Sequence, residues 1–162
     1  MSQNPPTTSS TSTPLFSKIL VAIDGSEHSF KAAKHALDLA KSSSSSGAQI
    51  YAITVTSIPE SYHLKEEDVL NNSRKTSNGM EDAKSWLDNF NQQAKENNIQ
   101  LRTELINSTR PVDYVILEYA EEKQIDLIVM GTRGRTGFKK LLLGSTASSV
   151  VTYAHCTVMV VK

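Results

Sequence analysis

Short runs of branched apolar residues alternate, one for one, with longer amphipathic segments, and this alternation limits the folds open to the chain. KILVAI (18–23) is continuously apolar after its lysine, as a strand covered on both faces must be. HSFKAAKHALDLAK follows, with Phe30, Ala33, Leu37 and Ala40 on one helical stripe and Lys31, Lys34, Asp38 and Lys41 elsewhere. The serine run SSSSSGAQ ends it. IYAITV (50–55) reads as a second strand, and MEDAKSWLDNFNQQAKENN as a second helix with Met80, Ala83, Leu87, Phe90 and Ala94 in phase. IQLRTEL alternates as a third strand. PVDYVILEYAEEK is a third helix, with Pro111 in its first turn and Val112, Val115, Ile116 and Tyr119 inward. IDLIVM (125–130), STASSVVTYA and TVMVVK complete the pattern as strand, helix and strand.

Such alternation marks a parallel sheet with crossover helices on both faces, and right-handed crossovers leave few topologies for five strands. The expected fold is α/β: a doubly wound five-stranded parallel sheet in a Rossmann-like α/β/α sandwich, strand order 3-2-1-4-5. In such sheets ligands bind beyond the carboxyl ends of the strands, where the strand order reverses.

Composition narrows the function. A chain of 162 residues fits one domain. Its 17 basic and 17 acidic side chains balance, which argues against a general nucleic-acid or membrane-surface binder. The single cysteine, Cys156, has no internal partner and suits a reducing compartment. No apolar run approaches the roughly 20 residues of a membrane span, and no signal peptide opens the sequence, so a cytoplasmic location is expected. Residues 1–15 are mostly Ser, Thr, Pro, Asn and Gln and read as a disordered tail; residues 16–162 form the domain.

At the strand ends, Asp24 closes the first strand, where its carboxylate either receives a ligand hydroxyl or base or, with Ser26, caps the next helix. After the fourth strand comes GTRGRTGFKKLLLGSTA, spaced Gly131-x2-Gly134-x9-Gly144-Ser145. This matches neither the P-loop nor the dinucleotide fingerprint. Gly131 permits close approach of ligand or backbone. Gly144, Ser145 and Thr146 open a helix whose N–H groups and positive dipole end suit a phosphate. Arg133, Arg135, Lys139 and Lys140 form a local cationic excess, as a polyphosphate would need. A long turn with a capping serine and solvated lysines satisfies the spacing equally well.

These segments resemble the universal stress proteins over residues 17–162: KILVAIDGSEHSFKAAKHALDLA, DLIVMGTRGRTGFKKLLLGSTASSVV and the closing CTVMVVK. The G-x2-G-x9-G-[ST] spacing is that of the family's ATP-binding branch. The resemblance implies that Ala22, Ile23 and Asp24 line the adenosine end and Val55 touches adenine, with Met130 and Gly131 beneath it. It also implies that Gly134, Gly144, Ser145 and Thr146 hold ribose and phosphates. The family's closing strand pairs across a two-fold axis, so a homodimer near Val158 and Val160 is expected. Thr157 follows Cys156 where family members often carry proline, a departure far from the glycines.

The function expected is an ATP-binding stress or signalling protein, with or without Mg2+, that acts as a nucleotide-dependent switch and hydrolyses slowly at most. The alternative is an ATP-hydrolysing or nucleotidyl-transferring enzyme on the same scaffold. Against it, the sequence shows no G-x-S-x-G elbow, no Cys-His pair and no acid placed as a base beside Gly144. A receiver domain is disfavoured because AIDGS and TELIN lack its acidic cluster. His28, His35, His63 and His155 form no metal-type pair. Residues 57–79, including the charge run Glu66, Glu67 and Asp68, read as a polar surface loop or a lid. Trp86 reads as packing, not as a base platform.

Overall fold

The computed structural model describes residues 15–42, 47–57, 66–134 and 143–162, with positions 57 and 66–78 described by their backbone alone. Residues 1–14 of the proposed tail, residues 58–65, Arg135, Lys139 and Lys140 lie outside the described residues. In chain order the elements are β1 (Lys18–Ala22), α1 (Glu27–Ser42), β2 (Gln49–Ser57), α2 (Glu66–Glu96), β3 (Leu101–Ser108), α3 (Val112–Glu122), β4 (Leu127–Gly131), α4 (Ser145–Tyr153) and β5 (Thr157–Val161). The five strands form one sheet in the order β3-β2-β1-β4-β5, every neighbouring pair parallel.

Continuous apolar strands follow from helices on both faces. Along β1, Ile19 and Val21 enter the core beneath α1 and α2, while Leu20 enters the core beneath α3 and α4; all three are fully buried. Along β4, Leu127 and Val129 take the first face and Ile128 and Met130 the second. Helix α1 presents Ala33, Leu37 and Ala40 to the sheet as expected, joined by Ser29, Ala32 and Ala36. Phe30 is a correction: it is 43 % exposed. The small residues let α1 lie close to the sheet, and the buried stripe is centred on the alanines, leaving Phe30 at its rim.

Helix α2 also differs from expectation. It begins at Glu66, so much of the stretch read as a polar loop is helix. Extending an existing helix adds one hydrogen bond per residue ordered and avoids the cost of a new nucleus, so a polar segment joins it without an apolar stripe of its own. Ala83, Leu87, Phe90 and Ala94 are buried in phase, whereas Met80, one turn earlier, is 37 % exposed because it lies where the buried stripe gives out. In α3, Val115, Ile116 and Tyr119 are buried and Val112 packs at the edge of the same core. Pro111 stands one position earlier than expected, as the N-cap with ψ 142°. Its fixed φ and missing N–H suit that place too.

At the other end of the sheet, Asp126 ties the entry of β4 to that of β1. Its carboxylate accepts from Ser17 N–H (2.8 Å), Ser17 Oγ (2.7 Å) and Lys18 N–H (3.1 Å). Phe16 packs against the core beside this clamp, while Leu15 is exposed.

Candidate functional site

The sheet order reverses at β1, whose neighbours are β2 and β4. Beyond the carboxyl ends of these strands lies a cleft of about 320 Å³, at the lower end of the range for small-molecule sites. Ala22, Ile23 and Asp24 line it from β1 and the turn that follows, Val55 from β2, and Met130, Gly131, Arg133 and Gly134 from β4 and beyond. Gly144, Ser145 and Thr146 line it from the start of α4. While Arg135, Lys139 and Lys140 lie outside the described residues, those residues singled out in the sequence meet at one place. Ser29, Ile53, Val112, Ile116, Thr132 and Ala147 also line the cleft and were not among them. Ile53 is legible as the position two before Val55 on the same strand face, and Val112 and Ile116 as an inward i, i+4 pair, but neither signal separates a cleft wall from core.

One end of the cleft is apolar, walled by Ala22, Ile53, Val55, Val112, Ile116 and Met130. The other is polar backbone. Helix α4 starts at Ser145 with Gly144 as its N-cap, and among the described residues no side chain caps it. Gly144, Ser145 and Thr146 open the helix as expected, and the alternative of Ser145 as its capping residue is not met, because Ser145 is already inside the helix. Gly144 N–H donates to Thr132 C=O (2.7 Å), drawing the helix start onto the end of β4. With no capping side chain, the first-turn N–H groups and the dipole end of α4 are presented toward the cleft.

The β1–α1 turn settles what Asp24 does structurally. Ser26 caps α1, its Oγ accepting the Ser29 N–H at 3.2 Å. Asp24 Oδ1 accepts from Ser26 N–H (3.0 Å) and Ser26 Oγ (2.6 Å). The Arg133 carbonyl lies 3.2 Å from the same Ser26 Oγ, so the two loops that form the cleft mouth touch. The second Asp24 oxygen faces Gly134: a Cβ there would sit 2.6 Å from Oδ2. Asp24 therefore braces the helix cap with one oxygen while standing in the cleft wall.

At Gly131, of the two close approaches expected, ligand or backbone, the structure shows the backbone one. A Cβ on it would lie 2.7 Å from His28 Cβ, 2.8 Å from His28 C and 3.0 Å from Ser29 N, so the approaching group is the first turn of α1. Two buried polar atoms beside it, Thr132 Oγ1 and Arg133 Nε, have no hydrogen-bond partner among the described residues. Buried polar atoms are rarely left so, and each marks a place where a polar group is wanted.

A doubly wound parallel sheet with a cleft at its switch point defines the class: a Rossmann-like α/β/α sandwich with a ligand crevice. The particular family follows from comparison. The model of the universal stress protein family matches residues 15–162, and the chain belongs to that family. A universal stress protein of Methanocaldococcus jannaschii is 37 % identical over 151 residues, covering 91 % of this chain and 83 % of its relative. Among solved structures, the universal stress protein UspA from Lactobacillus plantarum superposes with a TM-score of 0.73 at 26 % identity, covering 90 % and 97 % of the two chains. A universal stress protein solved in complex with cAMP shares the fold with a TM-score of 0.64 at 24 % identity, covering 91 % of this chain and 97 % of that one.

Proposed function

We propose that this protein binds ATP in the cleft and acts in stress response or signalling as a nucleotide-dependent switch, with at most slow hydrolysis. The observation that carries the reading is the polarity gradient of the cleft. Its apolar end suits a flat heteroaromatic base; its other end, built from Arg133, Gly134, Gly144 and the uncapped start of α4, suits phosphates. The backbone around Thr132, Arg133 and Gly134 and the start of α4 line that end together, which supports the reading. Asp24 would meet the ribose hydroxyls. The cAMP complex of a fold relative is consistent with an adenine nucleotide.

Bound ATP would supply negative charge that bridges the 131–134 segment and α4; the protein's own groups hold and orient it. Slow hydrolysis follows from the lining. Among the described residues, the titratable groups at the cleft are Asp24 and Arg133, and Asp24 Oδ1 already serves Ser26. A general base needs an acceptor within hydrogen-bond reach of the attacking water, beside the terminal phosphate. Among the described residues no group of three or more His, Cys, Asp or Glu side chains is placed to hold a metal ion. Mg2+ would therefore arrive on the phosphates and keep most of its waters. A cytoplasmic homodimer paired through β5 completes the proposal.

Calorimetry with ATP, AMP and cAMP, together with a phosphate-release assay, tests it. Saturable ATP binding with release slower than one phosphate per several minutes is expected. No binding of any adenine nucleotide would overturn the reading, and rapid turnover would replace it with the enzyme alternative.

A further inference from the structure

Gly25 adopts φ +79°, in the left-handed region that favours glycine. The indole of Trp86, from the middle of α2, lies against it. A Cβ on Gly25 would fall 2.3 Å from Cζ2, 2.5 Å from Cη2 and 2.6 Å from Cε2 of that ring. The contact needs glycine twice, for its backbone angle and for the space the ring takes. Gly25 separates Asp24, in the cleft wall, from Ser26, the cap of α1. Both flanking residues are joined through Asp24 Oδ1, so the three move as one turn.

We infer that Trp86 is a positioning residue for the cleft: by covering Gly25 it holds the Asp24–Ser26 turn, and with it the Asp24 carboxylate, in the geometry that receives the ligand. The inference rests on the nucleotide reading above. A glycine at positive φ has the widest backbone freedom of any residue, and a rigid aromatic surface against it removes that freedom with little entropy lost by the ring itself. The ring is half-buried at the margin of the core beneath α1 and α2. Helix α2 contributes no residue to the cleft lining among those described, yet through this contact a displacement of α2 reaches Asp24.

The chain carries one tryptophan, so tryptophan emission reports the surroundings of Trp86, the Gly25 contact among them. ATP should shift the Trp86 emission saturably, with the midpoint that calorimetry gives. Trp86→Leu should weaken ATP binding about fivefold in the wild-type background but less than about twofold in the Asp24→Ala background, because coupled residues do not lose affinity additively. Trp86→Phe should restore most of the affinity. If Trp86→Leu failed to fold, the wild-type titration and the Trp86→Phe variant would still decide. Wild-type binding without an emission change, or equal losses in both backgrounds, would overturn the inference alone. Absence of wild-type binding would overturn the nucleotide reading and this inference with it.

Discussion

Gly131, Gly134 and Gly144 belong to one spacing pattern but meet different neighbours. A side chain at Gly131 would strike the backbone of α1; one at Gly134 would strike the tip of Asp24; one at Gly144 would press on Thr132 C=O at 3.2 Å. Pairing Gly131→Val with Gly144→Val, the obvious way to block a phosphate cradle, therefore mixes a packing defect with a binding defect. Gly131→Val alone should cost roughly 1–3 kcal/mol of stability by overpacking, read as a lower thermal midpoint without ligand. Gly134→Val should leave that midpoint nearly unchanged and reduce ATP affinity about tenfold or more, the cost of losing a charged hydrogen bond. An unaltered affinity in Gly134→Val would count against the cleft assignment. Asp24→Ala should weaken binding of adenosine more than that of inorganic triphosphate, measured by calorimetry with each.

Among elements, the β1–β4 join depends on one side chain distant in sequence. Asp126→Ala removes the acceptor for Ser17 N–H, Ser17 Oγ and Lys18 N–H. A loss of about 1 kcal/mol, the usual net worth of hydrogen bonds whose donors are largely open to water, is expected in urea unfolding. An unchanged unfolding midpoint would mean that water replaces the carboxylate without cost. Between α4 and β5, burial and then the nearby charge of Asp126 push the Cys156 thiol above its ordinary pKa. Iodoacetamide at pH 8 should thus modify the native protein more slowly than the same protein in guanidinium. Because the thiol pKa is raised by folding, this contribution to stability is complete below the unfolded value, about 8.5, and is lost as pH rises through the folded value. Equal alkylation rates in the two states would contradict the burial.

For the whole molecule, β5 is the outer strand beside β4, and its Val158, Met159 and Val160 are only partly covered. Exposed edges of this kind recruit another strand. Light scattering at micromolar concentration should give a dimer mass, and Val160→Lys should shift it toward monomer with the fold retained. A monomer from the unaltered protein would reject the pairing. Deleting residues 1–14 should leave thermal stability and ATP affinity unchanged, and a fall in either would show that the segment docks.

The sequence by itself determined the alternation of elements, the parallel sheet they build, and the cluster of residues at its switch point. Those signals are local: two-sided burial writes itself as a continuous apolar run, a helix as a 3.6-residue stripe, and a close approach as glycine. Its limits were local as well. Phe30 and Met80 kept the helical phase yet lie at the rim, since phase marks a direction and not how far a neighbour extends to cover it. The beginning of α2 at Glu66 was hidden because its backbone hydrogen bonds need no apolar stripe. Only the tertiary structure decided that Gly131 admits α1, that Asp24 braces Ser26, and that Trp86, sixty-one positions after Gly25, lies against it. Contacts between elements distant in sequence carry no period, and packing alone sets which side chain meets which turn.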